Sequence, residues 1–138
     1  MIVGLSHVTV YSTDQERSLK FYTEVLGLEL RTDMTLDGFR WLTVGGKNQK
    51  DLGILIAVPA PPMFSAEDTE TVKALISKGA LGGGVFETTD CRASYEELKG
   101  KGVTFLQEPA DRPYGVEAVF RDDSSNWFSL TQSKAYSG

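Results

Sequence analysis

The feature that most constrains the fold of this chain is an internal repeat. Residues 5–14, LSHVTVYSTD, and residues 81–90, LGGGVFETTD, both have the pattern of a β-strand that ends at an aspartate. When the two terminal aspartates are aligned, His7, the single histidine of the chain, falls on Gly83. This self-similarity predicts two copies of one structural unit, and only the first copy carries the histidine.

Both copies are followed by the same order of predicted elements. After the first copy, residues 14–27 carry apolar residues at helical spacing, with Asp14 or Thr13 suited to the N-cap and a glycine at the end. An Asp-Gly pair at 37–38 is typical of a β-hairpin turn. The strands predicted after this helix cover residues 28–36, 39–45 and 52–59.

The second half repeats this order. A helix is predicted at residues 91–102, again between a capping aspartate and a glycine. The strands predicted around it cover residues 81–89, 103–109, 116–122 and 126–132. Between the halves, prolines interrupt the strand pattern and residues 66–78 are predicted to form a short helix. The sequence therefore predicts an α+β fold of two βαβββ modules, residues 1–59 and 80–138, joined by a linker at 60–79 within a single domain.

Four segments make the chain resemble the vicinal oxygen chelate superfamily, which contains glyoxalases, bleomycin-resistance proteins and extradiol dioxygenases. The segments are LSHVTVYSTD, FYTEVLGLEL, FETTDCRASYEELKGKGVTF and FRDDSSNWFSL. The last segment is similar to the final hairpin of the family, except that Ser125-Asn126 stands where Gly-Asn is usual. The resemblance implies the glyoxalase/bleomycin-resistance fold, in which each module curls its sheet into half of a cup and the cup holds the site.

The resemblance also implies where a metal would be bound. Enzymes of the superfamily typically hold one divalent metal through about four His, Glu or Gln side chains on the first and last strands of each module. His7 matches the first position, but residues 52–58 contain no such side chain. The other two positions fall on Gly83 and Ser129. Because one imidazole rarely holds such a metal alone, we expect no metal and no other cofactor, and a hydrogen-bonding or core role for His7.

Strand alternation selects candidate residues for the inner face of the cup. It places His7 on one face of the first strand, Gly83 and Glu87 on the matching face of the second module, and Trp127 with Ser129 on the last strand. Side chains from the two hairpins complete the set. The predicted ligand-binding residues are His7, Phe39, Trp41, Gly83, Glu87, Tyr114, Glu117, Trp127 and Ser129.

Each of these residues also has a purely structural interpretation. The two tryptophans equally suit a core or a subunit interface, both glutamates suit an exposed surface, and Tyr114 suits a turn. Gly83 equally suits close packing of a neighbouring strand. Cys91, in the first turn of a predicted helix, is either a thiol whose pKa the helix dipole lowers or a buried, unreactive one.

Two functions remain open from the sequence. The first is a metal-free protein that binds a small organic molecule and sequesters an antibiotic or another aromatic ligand, as bleomycin-resistance members do. The alternative is a lyase, isomerase or dioxygenase of the glyoxalase type, with a divalent metal held by His7 and Glu87 or Glu117. Acid–base catalysis by His7 and a carboxylate without a metal is a third possibility.

Composition narrows the range of partners. A formal net charge of −5 argues against nucleic acid as a partner. No stretch approaches the roughly 20 apolar residues that span a bilayer, and the first residues do not have the pattern of a signal peptide. A single cysteine excludes an internal disulfide and fits a cytoplasmic location. Small proteins of this resemblance usually pair, so we also expect a homodimer.

Overall fold

The computed structural model describes residues 1–134. The chain forms two compact units, Met1–Ser77 and Lys78–Gly138. Each unit contains one mixed four-stranded sheet, which we call sheet 1 and sheet 2. The two sheets with their helices confirm the prediction of an α+β fold with the β-α-β-β-β order in each half.

The first unit begins with strand β1 and ends with a helix from the predicted linker. Its elements are β1 (His7–Tyr11), α1 (Gln15–Lys20), β2 (Glu29–Leu36), β3 (Phe39–Gly45), β4 (Gly53–Ala57) and α2 (Ala66–Ser77). A π-helical segment, Phe21–Val25, continues α1. The strand order in sheet 1 is β1-β4-β3-β2, with β1 parallel to β4 and the other neighbours antiparallel.

Local signals in the sequence account for the limits of the first helix. The carboxylate of Asp14 accepts a hydrogen bond from the backbone N–H of Arg17 at 3.1 Å, which satisfies one of the free donors of the first turn. Gly27 follows the π-helical segment with a φ of +77°, a left-handed conformation that glycine adopts without strain. The helix packs on one face of sheet 1. The buried apolar residues of that layer are Val10, Tyr22, Leu42, Val44 and Ile56.

The second unit repeats this arrangement. Its elements are β5 (Gly82–Glu87), α3 (Cys91–Gly100), β6 (Phe105–Arg112), β7 (Gly115–Arg121) and β8 (Trp127–Ser133). The strand order in sheet 2 is β5-β8-β7-β6, with β5 parallel to β8. Asp90 caps α3 by accepting from the N–H of Ala93 at 3.0 Å, as Asp14 does in the first unit. The repeat seen in the sequence is therefore a repeat of both topology and capping.

The core of the second unit is aromatic. The ring of Tyr95 on α3 meets the ring of Phe105 with 4.6 Å between centroids, and Phe86 meets Phe128 at 5.0 Å. Phe120 and Phe128 stack at 5.8 Å, and both are almost fully buried. These rings occupy the face of sheet 2 that packs against α3. These core rings therefore do not lie on the opposite face of sheet 2.

The largest difference from a predicted strand boundary is at the end of β6. Strand β6 continues to Arg112 rather than ending at Pro109, because β-bulges between Phe105 and Ala110 take Pro109 out of the regular ladder. Helix α2 (Ala66–Ser77) lies where the sequence predicted a short helix at 66–78, and the first compact unit extends to Ser77. None of the helices in residues 1–134 is long and apolar enough to cross a bilayer.

Candidate functional site

Strand register places most of the predicted site residues on the sheet faces opposite the helices. We call these the open face of sheet 1 and the open face of sheet 2. On sheet 1, His7 lies opposite Gly53, and Met34 lies opposite Trp41. Alternation then defines the remaining members of this face. The side chains of the open face of sheet 1 are His7, Thr9, Tyr11, Thr32, Met34, Leu36, Phe39, Trp41, Thr43 and Leu55.

Three aromatic rings form a row on the open face of sheet 1. The imidazole of His7 meets the indole of Trp41 edge-on, with 6.0 Å between ring centroids. Phe39 lies on the other side of Trp41, also at 6.0 Å. Trp41 is 38% exposed, so its ring is accessible to a ligand. The structure thus brings together three of the residues that the sequence predicted to bind the ligand.

Glycine at position 53 makes this row possible. Strand β4 lies between β1 and β3, and a Cβ on Gly53 would come within 2.9 Å of Cδ2 of His7. Without that Cβ, the imidazole lies across β4 and reaches Trp41. Nδ1 of His7 is 3.0 Å from the hydroxyl of Ser6, within hydrogen-bond distance. Strand β4, in which the sequence shows no metal ligand, therefore has a role in packing, because its glycine leaves space for the imidazole.

Other residues of this face were missed by the sequence prediction. The hydroxyl of Tyr11 donates to Sδ of Met63 at 3.7 Å, and its ring meets Phe64 at 5.5 Å. Both partners come from the segment assigned to the linker, for which no pattern predicted a position near β1. Met34 and Leu36 are 48% and 62% exposed beside Trp41 and Phe39. The Asp-Gly hairpin signal would have found these two, because it fixes which residues face each other across the turn.

On sheet 2, a carboxylate is held by two hydroxyl groups. Oε1 of Glu117 accepts from the Tyr114 hydroxyl at 2.6 Å, and Oε2 accepts from the Ser129 hydroxyl at 2.6 Å. Because the single proton of Ser129 is used in this way, the 2.8 Å contact between Ser129 and Thr131 has Thr131 as its donor. Nε of Arg112 lies 3.8 Å from Oε1. We call Tyr114, Glu117, Ser129 and Thr131 the Glu117 cluster.

The hydrogen bonds of the Glu117 cluster shift the pKa values of two side chains. The hydroxyls of Ser129 and Tyr114 stabilise the charged carboxylate and hold the pKa of Glu117 below its usual range. The same bond to Glu117 raises the pKa of Tyr114, because ionisation would remove the proton that the phenol donates and place a second negative charge beside the carboxylate. At neutral pH the cluster therefore contains an anionic carboxylate and a protonated phenol.

Ser129 occupies the position where the resemblance places a glutamate, and the structure supplies a carboxylate there from a different strand. Ser129 lies on β8 opposite Val119, while Glu117 lies on β7 opposite Thr131. The small serine leaves room for the Glu117 side chain to reach across the strand pair. Both glutamate and serine were predicted as site residues, but their direct contact depends on a register that the sequence does not reveal.

Trp127 lies on the same open face of sheet 2. It is 43% exposed and pairs with Gly82, where a Cβ would come within 2.6 Å of the indole. Val85, opposite Ser129, is 71% exposed on this face. Glu87, opposite Thr131, is also exposed and has no side-chain hydrogen bond within the described residues. Trp127 and the Glu117 cluster are thus brought together, whereas Glu87 stands at the edge.

The predicted face of Gly83 is wrong. A β-bulge between Gly82 and Gly84 shifts the register, so that Phe128 pairs with Gly84. A Cβ on Gly83 would overlap the ring of Phe128, which is 2% exposed and belongs to the core. Gly82 rather than Gly83 lies beside Trp127 on the open face. The structural interpretation of Gly83, close packing, is the one that its surroundings support.

Cys91 is a core residue. Its side chain is fully buried, and its thiol donates to the backbone carbonyl of Leu130 at 3.4 Å. Burial raises the pKa of this thiol, since the thiolate would be poorly solvated. The position in the first turn of α3 does not make it a nucleophile.

A family model describes most of the chain. It matches residues 4–130 and represents the Glyoxalase/Bleomycin resistance protein/Dioxygenase superfamily. The chain belongs to this superfamily. The resemblance drawn from the sequence is thereby confirmed, and the two mixed sheets are the halves of the superfamily's fold.

Three related proteins are informative. The crystal structure of UcmS2 is 50% identical to this chain, covers 96% of it and 100% of its own length, and has a TM-score of 0.90. TnmS3, described as an antibiotic binding protein from Streptomyces sp. CB03234, is 28% identical over 96% of this chain and 98% of its own, with a TM-score of 0.77. The uncharacterized protein YetH of Bacillus subtilis (strain 168) is 32% identical over 133 residues, which is 96% of this chain and 100% of YetH.

The side chains do not fit the divalent metal that enzymes of this superfamily hold. Within residues 1–134, no group of three or more His, Cys, Asp and Glu side chains is arranged to hold a metal ion. Three or four ligands are normal for such ions. Both oxygens of Glu117 already accept hydroxyl protons, and His7 is the only imidazole in the chain. The donor set is therefore suited to hydrogen bonding rather than to coordination.

Proposed function

We propose that this protein binds an aromatic small molecule without a metal and sequesters an antibiotic or a related compound. The observation that carries the proposal is the accessible aromatic row of Phe39, Trp41 and His7 on the open face of sheet 1. Exposed aromatic and aliphatic side chains in one patch mark binding sites, because a soluble protein rarely leaves such surface to water. Met34 and Leu36 extend this patch with apolar area.

The chemistry of both open faces suits a flat ligand. Stacked or edge-on aromatic pairs contribute roughly 0.5–1.5 kcal/mol beyond burial, so the row and Trp127 offer affinity to any planar ring system. Small-molecule sites are typically apolar walls with a few directed polar groups, which the Glu117 cluster supplies on sheet 2. The relation to TnmS3, an antibiotic binding protein at 28% identity across nearly the whole chain, supports an antibiotic as the occupant.

The test is a titration of the protein with a panel of aromatic natural products that includes antibiotics. Tryptophan emission and melting temperature are read for the parent, Trp41→Ala and Trp127→Ala. The matched control is Glu96→Ala, an exposed change on α3. We expect at least one compound to quench emission and raise the melting temperature, and Trp41→Ala to weaken its binding about fivefold. A panel without any shift, or unchanged binding by Trp41→Ala, would contradict the proposal.

Independence from metal has its own measurement. Elemental analysis of the purified protein is expected to give no stoichiometric transition metal, and chelator treatment is expected to leave ligand binding unchanged. About one Ni, Zn or Fe per chain, lost on substitution of His7 by Ala, would favour the metal-dependent enzyme instead.

A further inference from the structure

We propose that Glu117 makes this protein select aromatic ligands that carry a hydrogen-bond donor on the ring edge, an N–H or an ammonium group. This inference rests on the proposed function and specifies the chemistry of its ligand. It assigns Glu117 as the residue that determines specificity on the open face of sheet 2. The neighbouring Trp127 supplies the surface on which the ring stacks.

The orientation of the Glu117 carboxylate is fixed before any ligand binds. One hydroxyl holds each oxygen, from Tyr114 on one side and Ser129 on the other, both at 2.6 Å. A carboxylate has about four lone-pair directions, so each oxygen keeps capacity for one more donor. The side chain is 20% exposed, which leaves this capacity accessible from the open face. A prearranged acceptor of this kind binds a donor without the entropic cost of ordering its own side chain.

The distance from Trp127 to the Glu117 cluster matches a planar ring system. Trp127 and Ser129 are two residues apart on β8 and point to the same face, which corresponds to roughly 7 Å along the strand. A ligand of three fused rings that stacks on the indole therefore extends to Ser129 and the carboxylate held by it. The edge of the ligand then meets the Glu117 carboxylate, which accepts hydrogen bonds and cannot donate one. A ligand edge with a lone pair is repelled there, and a methylated edge removes water from the carboxylate without supplying a further donor.

The charges around the cluster allow both neutral and cationic donors. Arg112 lies 3.8 Å from Oε1 of Glu117 and offsets part of its charge. Arg121 is occupied with the backbone carbonyls of Gly79 and Ser125, at 3.1 and 2.7 Å. Glu87 adds an exposed negative charge on the same face. Both kinds of ligand therefore need a hydrogen-bond donor. Because salt screens charge, the salt dependence of ligand binding distinguishes an ammonium ion from a neutral N–H.

The experiment uses three acridine probes of nearly equal shape. Acridone carries a neutral ring N–H, N-methylacridone lacks it, and 9-aminoacridine is a cation at neutral pH. Dissociation constants are measured by fluorescence for the parent, Glu117→Gln and Ser129→Ala. The charge-matched control is Glu96→Gln on α3. Melting temperatures of all variants confirm that each is folded.

We expect the parent and Glu96→Gln to bind acridone about tenfold more tightly than N-methylacridone, the size of one hydrogen bond to a charged acceptor. Glu117→Gln is expected to reduce this ratio to about twofold. Ser129→Ala is expected to give an intermediate ratio, because the carboxylate keeps its charge but loses one of the two hydroxyls that hold its orientation. A preference for 9-aminoacridine that disappears in Glu117→Gln also supports the assignment, and its loss in 0.5 M salt identifies the contribution of charge.

Three results would overturn the inference. These are equal binding of acridone and N-methylacridone by the parent, a tenfold ratio that survives in Glu117→Gln, and no binding of any acridine by the parent. None of these bears on the titration with natural products, which tests the proposed function separately. The failure of the selectivity and the failure of ligand binding are therefore distinguishable.

Discussion

The imidazole of His7 lies directly over Gly53, where an added Cβ would approach its Cδ2 to 2.9 Å. This contact links three strands of sheet 1, because His7 on β1 passes over β4 to meet Trp41 on β3. The absent side chain at position 53 is thus a condition for the aromatic row. A methyl group added at position 53 therefore tests whether the aromatic row depends on the space above this glycine.

Substitution of Gly53 by Ala is expected to displace the imidazole and weaken binding of an aromatic ligand several-fold. The free energy of unfolding is expected to change by less than about 1 kcal/mol, because an exposed His7 side chain moves aside easily. His7 is the single histidine, so its imidazole signals in a two-dimensional NMR spectrum report the displacement without overlap. The matched control is Gly46→Ala, where the new Cβ meets Gln49 Cβ at an ordinary 3.5 Å. Unchanged imidazole shifts in Gly53→Ala would show that the row does not depend on this glycine.

Replacement of Tyr114 by Phe is expected to raise the pKa of Glu117 toward its usual range, since the carboxylate loses one of its two donors. In the folded parent the pKa of Glu117 is lowered, so its ionised form stabilises the protein above the usual glutamate range, and this contribution is lost as pH falls through the lowered pKa. The melting temperature of Glu117→Gln is therefore expected to depend less on acid pH than that of the parent. Carboxyl NMR titration and melting curves from neutral to about pH 3 measure both effects. Equal acid dependence of Glu117→Gln and parent would contradict the assignment.

The signals that predict the order of elements in this chain are local. The order of elements was predictable because Asp14 and Asp90 as caps, and Gly27 as a helix end, act on their own neighbours in the chain. Long-range register was not predictable. The bulge beside Gly83 directs that position toward the buried ring of Phe128, and the run of three glycines does not indicate which of them is bulged.

The same distinction applies to the candidate site. Phe39 and Trp41 share a face by simple alternation, so the sequence found them. The contact of Trp41 with His7 also needs the strand order β1-β4-β3 and the glycine of β4. The bond from Ser129 to Glu117 needs the pairing of β7 with β8. The sequence therefore predicted the three rings of the row and most members of the Glu117 cluster, but not the contacts between them.

Substitution of Gly83 by Ala is expected to destabilise the protein by about 1–3 kcal/mol, because a Cβ there overlaps the buried ring of Phe128 and forces the core to shift. Urea unfolding measures the change. The control is Gly100→Ala near the end of α3, where a Cβ meets nothing within 4 Å and a small stabilisation is expected. Equal stability of the parent and Gly83→Ala, together with altered ligand binding, would instead make Gly83 a residue of the binding site.

The exposed apolar residues before β1 predict that two copies of the chain associate in solution. Ile2, Val3 and Leu5 are 93%, 100% and 70% exposed, and a contiguous apolar stretch of this kind is normally covered by a partner. Because burial of an aliphatic side chain contributes roughly 1.5–3 kcal/mol, Leu5→Lys is expected to weaken a homodimer more than tenfold. Light scattering is expected to give twice the monomer mass of 15.1 kDa for the parent and for the control Ala93→Lys, an exposed change on α3. For Leu5→Lys, a concentration-dependent shift toward the monomer is expected, with an unchanged melting profile of the folded unit. A parent protein that remains monomeric at micromolar concentration would show that this segment stays exposed to water.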